Sequence, residues 1–352
     1  MIGFVHTALP GRVIFGHDTL PRVAEEAERS GFKRALVLTT PQQVDQGKAV
    51  LDLLGERGCT LFDGATMHTP VEVTERALSL LADHGADGLV SIGGGSTIGL
   101  GKALALRTGL DQIVIPTTYA GSEMTSILGE TRDGKKTTLR SPDVLPETVI
   151  YDVSLTYGLP TAMSVTSGIN AIAHAAEALY SAEVSPIIAM MAQEGIRTLV
   201  EALPSIAANP RDAAARDLAL RGSWLCGTCL GSVDMALHHK LAHVLGGIFD
   251  LPHAELHTVL LPHALAYNLP AAPKATEQLR AVLGQDPATI LRDLAVRLGA
   301  PSSLAALGMP RDGVDHATVA ALQARYPNPR TLEEQGIRGL LERAWAGDAP
   351  RA

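Results

Sequence analysis

The chain is poor in aromatic side chains: Phe, Tyr and Trp make up 4% of it, and two residues are Trp. Its core must therefore be largely aliphatic, drawn from a hydrophobic content of 46%. Cysteine is scarce too, with Cys59, Cys226 and Cys229 alone, which excludes a disulfide scaffold. Cys226 and Cys229 form a CxxC, but no second CxxC exists to complete a metal site. The surrounding RGSWLCGTCLGSVDMAL reads as a small-residue helix packed against neighbours. No apolar run reaches about 18 residues, so no membrane span is expected. The opening MIGFVHTALPGRV lacks the basic-then-apolar order of a signal peptide. A formal net charge of -8 argues against nucleic acid or anionic membrane as a partner. These features describe a soluble, cytoplasmic globular protein.

At 352 residues, two domains are expected. Two short apolar runs in 2–16, split by Pro10-Gly11, predict a small N-terminal hairpin. Apolar runs at 34–39 (RALVLT), 60–62, 88–92 (GLVSI), 113–115 and 149–152 suit buried parallel strands. Helical spacing at 20–30, 43–57 and 71–84 alternates with them. This predicts an α/β domain with a parallel, Rossmann-like sheet, whose ligands collect at the carboxyl ends of the strands. From about 164 onward the pattern is helical, over 165–181, 185–204, 211–230, 233–245, 254–267, 275–283, 287–298 and 331–345. Gly158 and Pro160 mark a boundary, giving an α/β domain over 1–158 and an all-α domain over 159–352.

Two glycine-containing turns fall at predicted strand ends. Gly93-Gly94-Gly95-Ser96 joins a strand to a helix, where exposed N–H groups and the positive helix end suit a phosphate. It is neither GxGxxG nor a Walker A loop, and alone it fits an ordinary tight turn equally well. The second turn, Thr117-Thr118-Tyr119-Ala120-Gly121-Ser122, allows the pair to hold two halves of a dinucleotide. Thr40 follows the strand RALVLT where many dinucleotide folds place a carboxylate on the ribose. Without that charge a 2′-phosphate meets no repulsion, so both NADH and NADPH are expected as cofactor.

The densest chemistry lies in HHKLAHVLGGIFDLPHAELHTVLLPH, residues 238–263, which holds six of the twelve histidines. His239 and His243 share a helix face, Gly246-Gly247 is expected to break that helix, and Pro252 to start the next just before His253. In GINAIAHAAEALY, Asn170 and His174 share a face, with Glu177 one step further along. Three imidazoles meeting in this way suit zinc, iron or nickel if a carboxylate completes the set, and Asn170 is not a carboxylate.

The motifs GGGS, TTYAGSEMT, GINAIAHAAEA and HKLAHVLGGIFDLPHA resemble, in order and spacing, the iron-containing (group III) alcohol dehydrogenases over nearly the whole chain. The resemblance implies a dinucleotide-binding α/β domain, a helical domain and an active site in the cleft between them. It places the family's metal ligands, one Asp and three His, at Asn170, His174, His239 and His253. His243 then matches a histidine of the proton path near the nicotinamide, and Lys136 reaches the nicotinamide ribose. Gly99 and Thr40 replace acids that many members carry. LHHKLAHVLGG with PHAELHTVLLPH resembles a branch that reduces the carbon–carbon double bond of maleylacetate to 3-oxoadipate with NADH or NADPH, without a required metal, and commonly as a homodimer.

Under that reading the substrate is a small dicarboxylate, gripped by a cationic pocket. His243 donates the proton, while His253, His239 and His174 hold the ketone oxygen or a carboxylate. Lys240 can add a cation, although it points about 100° away from His239 around the helix and equally suits a solvated lysine. His257 extends the cationic surface, and His238 and His263 are structural. The cofactor residues are Thr40, Gly93, Gly94, Gly95, Ser96, Thr117, Thr118, Ser122 and Lys136. The alternatives are a metal-dependent alcohol or aldehyde dehydrogenase of the same family and a non-catalytic nucleotide-binding protein, which has no use for converging histidines.

Overall fold

The structure, a computed structural model, describes residues 4, 6–9, 11–323 and 326–352. It divides into two compact units, Ala8–Leu159 and Pro160–Ala352, the second including the described residues before Ala8.

The first unit runs β1 (Arg12–Gly16), α1 (Val23–Arg29), β2 (Ala35–Leu38), α2 (Val44–Leu54), β3 (Gly58–Phe62), α3 (Val71–His84), β4 (Gly88–Gly93), α4 (Gly95–Thr108), β5 (Gln112–Pro116), β6 (Ile127–Arg132), β7 (Lys135–Arg140) and β8 (Thr148–Asp152). Six strands form one sheet in the order β1-β8-β5-β4-β2-β3, with every neighbouring pair parallel. Strand alternation sends Val37, Val90 and Ile92 into an apolar cluster with Val23, Ala27 and Val50. Leu36, Leu38 and Leu89 enter a second cluster with Ala77, Leu100 and Leu104. Both faces are thus covered, as a parallel sheet requires. Each fully buried Val, Leu or Ile contributes about 1.5–3 kcal/mol.

The strand order matters for function. The crossover from β2 leads outward to β3, whereas that from β4 leads the opposite way to β5. The carboxyl ends of β2 and β4 therefore flank a topological switch point, where open α/β sheets bind ligands.

The expected N-terminal hairpin falls partly on residues 2, 3 and 5, which lie outside the described residues; its second run is β1, which pairs parallel with β8, Arg12 opposite Thr148 through Gly16 opposite Asp152. An apolar run ending in glycine suits a parallel edge as well as a hairpin, and only the long-range partner decides. A hairpin does occur at β6–β7, turning through Asp133 and Gly134, both with positive φ. The polar KKTTLR gave no strand signal there.

The second unit is helical: α5 (Thr161–Leu179), α6 (Pro186–Ala208), α7 (Ala213–Ser232), α8 (Leu237–Phe249), α9 (His253–Asn268), α10 (Pro273–Leu283), α11 (Pro287–Arg297), α12 (Gly313–Gln323) and α13 (Glu334–Ala346). α12 was not expected; it buries Val314, Ala317 and Ala321 on a single short face. Gly246-Gly247 does not break α8, because Leu237, Leu241 and Leu245 bury a continuous face. The helix ends instead at Asp250, with φ 51°. Cys226 and Cys229 are free and buried in α7, and burial pushes the Cys229 thiol up to about 12. They serve packing, as the sequence suggested. Among the described residues no helix is long and apolar enough to cross a membrane.

Candidate active site

α5 is a small-residue helix buried along almost its whole length, and it carries Asn170, His174 and Glu177 inward together. The Glu177 carboxylate is fully buried. One oxygen, Oε1, accepts from the His238 amide at 3.0 Å and the Tyr180 hydroxyl at 2.8 Å. The other, Oε2, accepts from the Ala236 amide at 2.9 Å, the His239 amide at 3.3 Å and His239 Nδ1 at 2.7 Å. Ala236, the N-cap of α8, offers no capping side chain, so a carboxylate from another helix satisfies the free amides. Burial alone raises the Glu177 pKa, but the His239 hydrogen bond, the nearby imidazoles and the Ala236 amide outweigh it and hold the group down to about 2. An ionised Glu177 assigns the proton to His239 Nδ1 and leaves Nε2 on the far edge, buried without a protein partner.

From His239 the imidazoles continue as a connected group. Ring centroids lie 5.1 Å apart for His174–His239, 4.9 Å for His239–His257 and 4.4 Å for His253–His257. His243 is exposed and stands 6.5 Å from His239 and 6.5 Å from His253, stacked on the latter. His238 Nε2 and His257 Nδ1 share a hydrogen bond at 2.7 Å. The structure therefore gathers His174, His239, His243 and His253, and adds two members. His257 sits in the middle of the group rather than extending a surface, and His238 braces it. Their spacing from His239 and His253 was the available signal. The sequence alone puts Glu177 one step further along the helix that carries His174 but gives it no role. Lys240 is partly exposed and makes no part of the ring contacts described.

The expectation of a cationic pocket is corrected in its buried part. Burial, reinforced by neighbouring imidazoles, pushes His174 and His257 well below the usual histidine range, and His238 to about 3. Burial thus favours the neutral form of all three.

As a metal cage the donor set fits poorly. Its carboxylate position is an amide, Asn170, whose Oδ1 is buried without a partner, and the neighbouring Glu177 is spent on α8 and His239. Among the described residues no three His, Cys, Asp or Glu side chains meet in an arrangement that could hold a metal ion.

In the α/β unit, Gly93-Gly94-Gly95-Ser96 turns β4 into α4, and no side chain caps that helix. Thr117 donates its amide to the Gly93 carbonyl at 3.0 Å, so the second turn lies beside the first. A Cβ on Gly94 would meet the Thr118 methyl at 2.9 Å, which is why glycine stands there. Ser122 begins a single 3-10 turn, and its carbonyl accepts from Lys102 Nζ at 2.6 Å. The same ammonium reaches the Thr125 carbonyl and hydroxyl at 2.7 and 2.9 Å and the Ile127 carbonyl at 3.0 Å. This tether from α4 to the second turn was missed, because a lysine in a helix gives no sign of burial. Thr40 is partly exposed at the end of β2. The side chain of Lys136 lies outside the described residues.

Residues 10–153 match the iron-containing alcohol dehydrogenase family, and residues 164–345 match the C-terminal part of the Fe-containing alcohol dehydrogenase family. A maleylacetate reductase of Rhizobium sp. (strain MTP-10005) is 54% identical over 347 residues, 99% of each chain. One from Burkholderia cepacia is 54% identical over 351 residues, covering 99% of this chain and 100% of that protein. The crystal structure of maleylacetate reductase from Agrobacterium tumefaciens, 55% identical, covers 99% of this chain and 100% of its own with a TM-score of 0.96. The chain belongs to the iron-containing alcohol dehydrogenase family, alongside maleylacetate reductases.

Proposed function

We propose that this chain reduces maleylacetate to 3-oxoadipate, taking hydride from NADH or NADPH. The observation that carries the reading is the group of imidazoles braced by Glu177, with an amide at the carboxylate position, in a chain this similar to maleylacetate reductases. Maleylacetate is an enone bearing two carboxylates. Hydride adds to the alkene carbon beta to the ketone, the electron pair moves onto the ketone oxygen, and the enolate takes a proton at the alpha carbon. The products are 3-oxoadipate and NAD(P)+.

The helical unit supplies hydrogen-bond donors and a proton. His174, His239 and His253 hold the ketone oxygen or a carboxylate through N–H groups. With the Nδ1 proton directed to Glu177, His239 donates from Nε2 only as an imidazolium carrying a proton on each ring nitrogen. A dianion entering among neutral imidazoles draws protons onto them, so substrate binding and protonation are coupled. His243, exposed and stacked on His253, exchanges with solvent and is assigned as proton donor. Lys240 stays a secondary cation. The α/β unit supplies the coenzyme site: Gly93, Gly94, Gly95 and Ser96 cradle the pyrophosphate, Thr117, Thr118 and Ser122 line the second turn, Thr40 faces the adenosine ribose and Lys136 the nicotinamide ribose.

No metal is assigned a step. The vestigial positions Asn170, His174, His239 and His253 lack the anion that a hard dication favours. On this reading the enzyme works in the cytoplasm, where NAD(P)H is supplied, and pairs as a homodimer. The test is NADH and NADPH oxidation with maleylacetate and with simple aldehydes, before and after exhaustive chelation. Turnover of maleylacetate that survives chelation is the expected result. Activity confined to aldehydes, or lost and restored only by added metal, returns the chain to the metal-dependent dehydrogenases.

A further inference from the structure

Gln43 closes the 3-10 turn Pro41–Gln43 at the carboxyl end of β2. Its Nε2 donates to Thr117 Oγ1 at 3.0 Å and to Gln46 Oε1 at 2.7 Å, using both N–H bonds. Its Oε1 accepts from Thr40 Oγ1 at 3.4 Å and lies 3.0 Å from where a Cβ on Gly93 would stand. One uncharged amide thus touches the ends of β2, β4 and β5, across the switch point between β2 and β4.

We infer that Gln43 sets the preference between NADH and NADPH by keeping the adenosine end of the coenzyme site uncharged. The inference rests on the coenzyme reading above. In dinucleotide folds a carboxylate beside the glycine turn takes the ribose 2′-hydroxyl and repels a 2′-phosphate. Here the contacts from that strand end are a hydroxyl, Thr40, and an amide, Gln43. The Gln43 oxygen holds a single long hydrogen bond, from Thr40, and keeps a lone pair for a ribose hydroxyl. Neither Thr40 nor Gln43 sets a fixed negative charge against a 2′-phosphate, and the next acid along the chain, Asp45, is exposed in the first turn of α2. Position 43 governs the choice because its side chain lies against Gly93, where the backbone must stay bare.

The experiment is fluorescence titration of NADH and NADPH into the full chain and its Gln43→Glu and Gln43→Arg variants, with folding checked by circular dichroism. Gln43→Glu should weaken NADPH relative to NADH by about tenfold or more, the size of a like-charge contact at a partly exposed site. Gln43→Arg should shift the ratio the other way, and it serves alone if the acidic variant does not fold. A ratio within about twofold of the parent in every folded variant overturns the inference. If the parent chain binds neither coenzyme, the coenzyme reading fails first and this one with it.

Discussion

Glu177 and His239 meet through Oε2 and Nδ1 at 2.7 Å, and the same carboxylate holds three backbone amides at the start of α8. One buried charge therefore fixes both the helix that carries His239 and the orientation of its ring. Glu177→Gln keeps the size of the side chain but replaces an acceptor oxygen with a donor facing amides. We expect a loss of about 3 kcal/mol in urea unfolding, the usual cost of breaking a buried charged contact. In the folded fraction kcat should fall about a hundredfold, because His239 loses its tautomer. An unchanged kcat would show that ring orientation is irrelevant to the chemistry.

His243→Ala should lower kcat by about 10²–10⁴, the range for removing a general acid. Because His243 is exposed, added imidazole should restore part of the rate. Near-normal turnover of the alanine variant would assign the proton to another group.

Asn170→Asp puts a carboxylate back beside His174 on the inner face of α5. The variant is expected to bind zinc at least about tenfold more tightly than the parent by calorimetry, since a hard anionic ligand is added. It should also bind the dianionic substrate less well. Equal zinc affinity in the two proteins would mean that the imidazoles do not converge closely enough for any metal.

Lys102→Met leaves three carbonyls and a hydroxyl without their ammonium in a fully buried site. Burial lowers this lysine to about 7, with Glu123 opposing. Unfolding free energy should drop by about 3 kcal/mol, and Kd for NADH should rise by at least about tenfold as the second turn loosens. A stable variant with parent-like coenzyme affinity would refute the tether.

Stability should fall on acidification. His263 is held at about 4 in the folded chain, by burial and then by Arg343 and Arg292, against 6.5 ordinarily; His238 is held at about 3. Below pH 6.5 the unfolded chain takes up protons that the folded chain refuses, so stability declines until these lower values are reached. Glu177, at about 2 against 4.5, acts in the same sense: its contribution is full above 4.5 and is lost as pH falls toward 2. Each pKa unit corresponds to about 1.4 kcal/mol. Melting temperatures from pH 8 to 4 should drop chiefly below 6.5, and His263→Leu should flatten part of that slope. A flat profile would mean that these imidazoles are hydrated.

Local pattern alone decided a great deal. Short aliphatic runs such as RALVLT and GLVSI, bounded by turn residues, suit buried parallel strands, and the glycine turn after GLVSI suits a strand end. The four-residue spacings of Asn170 with His174 and His239 with His243 fixed which side chains share a helix face. Partners distant in the chain were beyond that reach. β1 could have turned back on itself, and its pairing with β8 depends on a strand more than a hundred residues away. Glu177 looked like one more helical acid until α8 placed its bare amides against it. The charge of the imidazoles also waited on the fold: a histidine's spacing tells which neighbours it has, but only burial tells whether it can keep a proton.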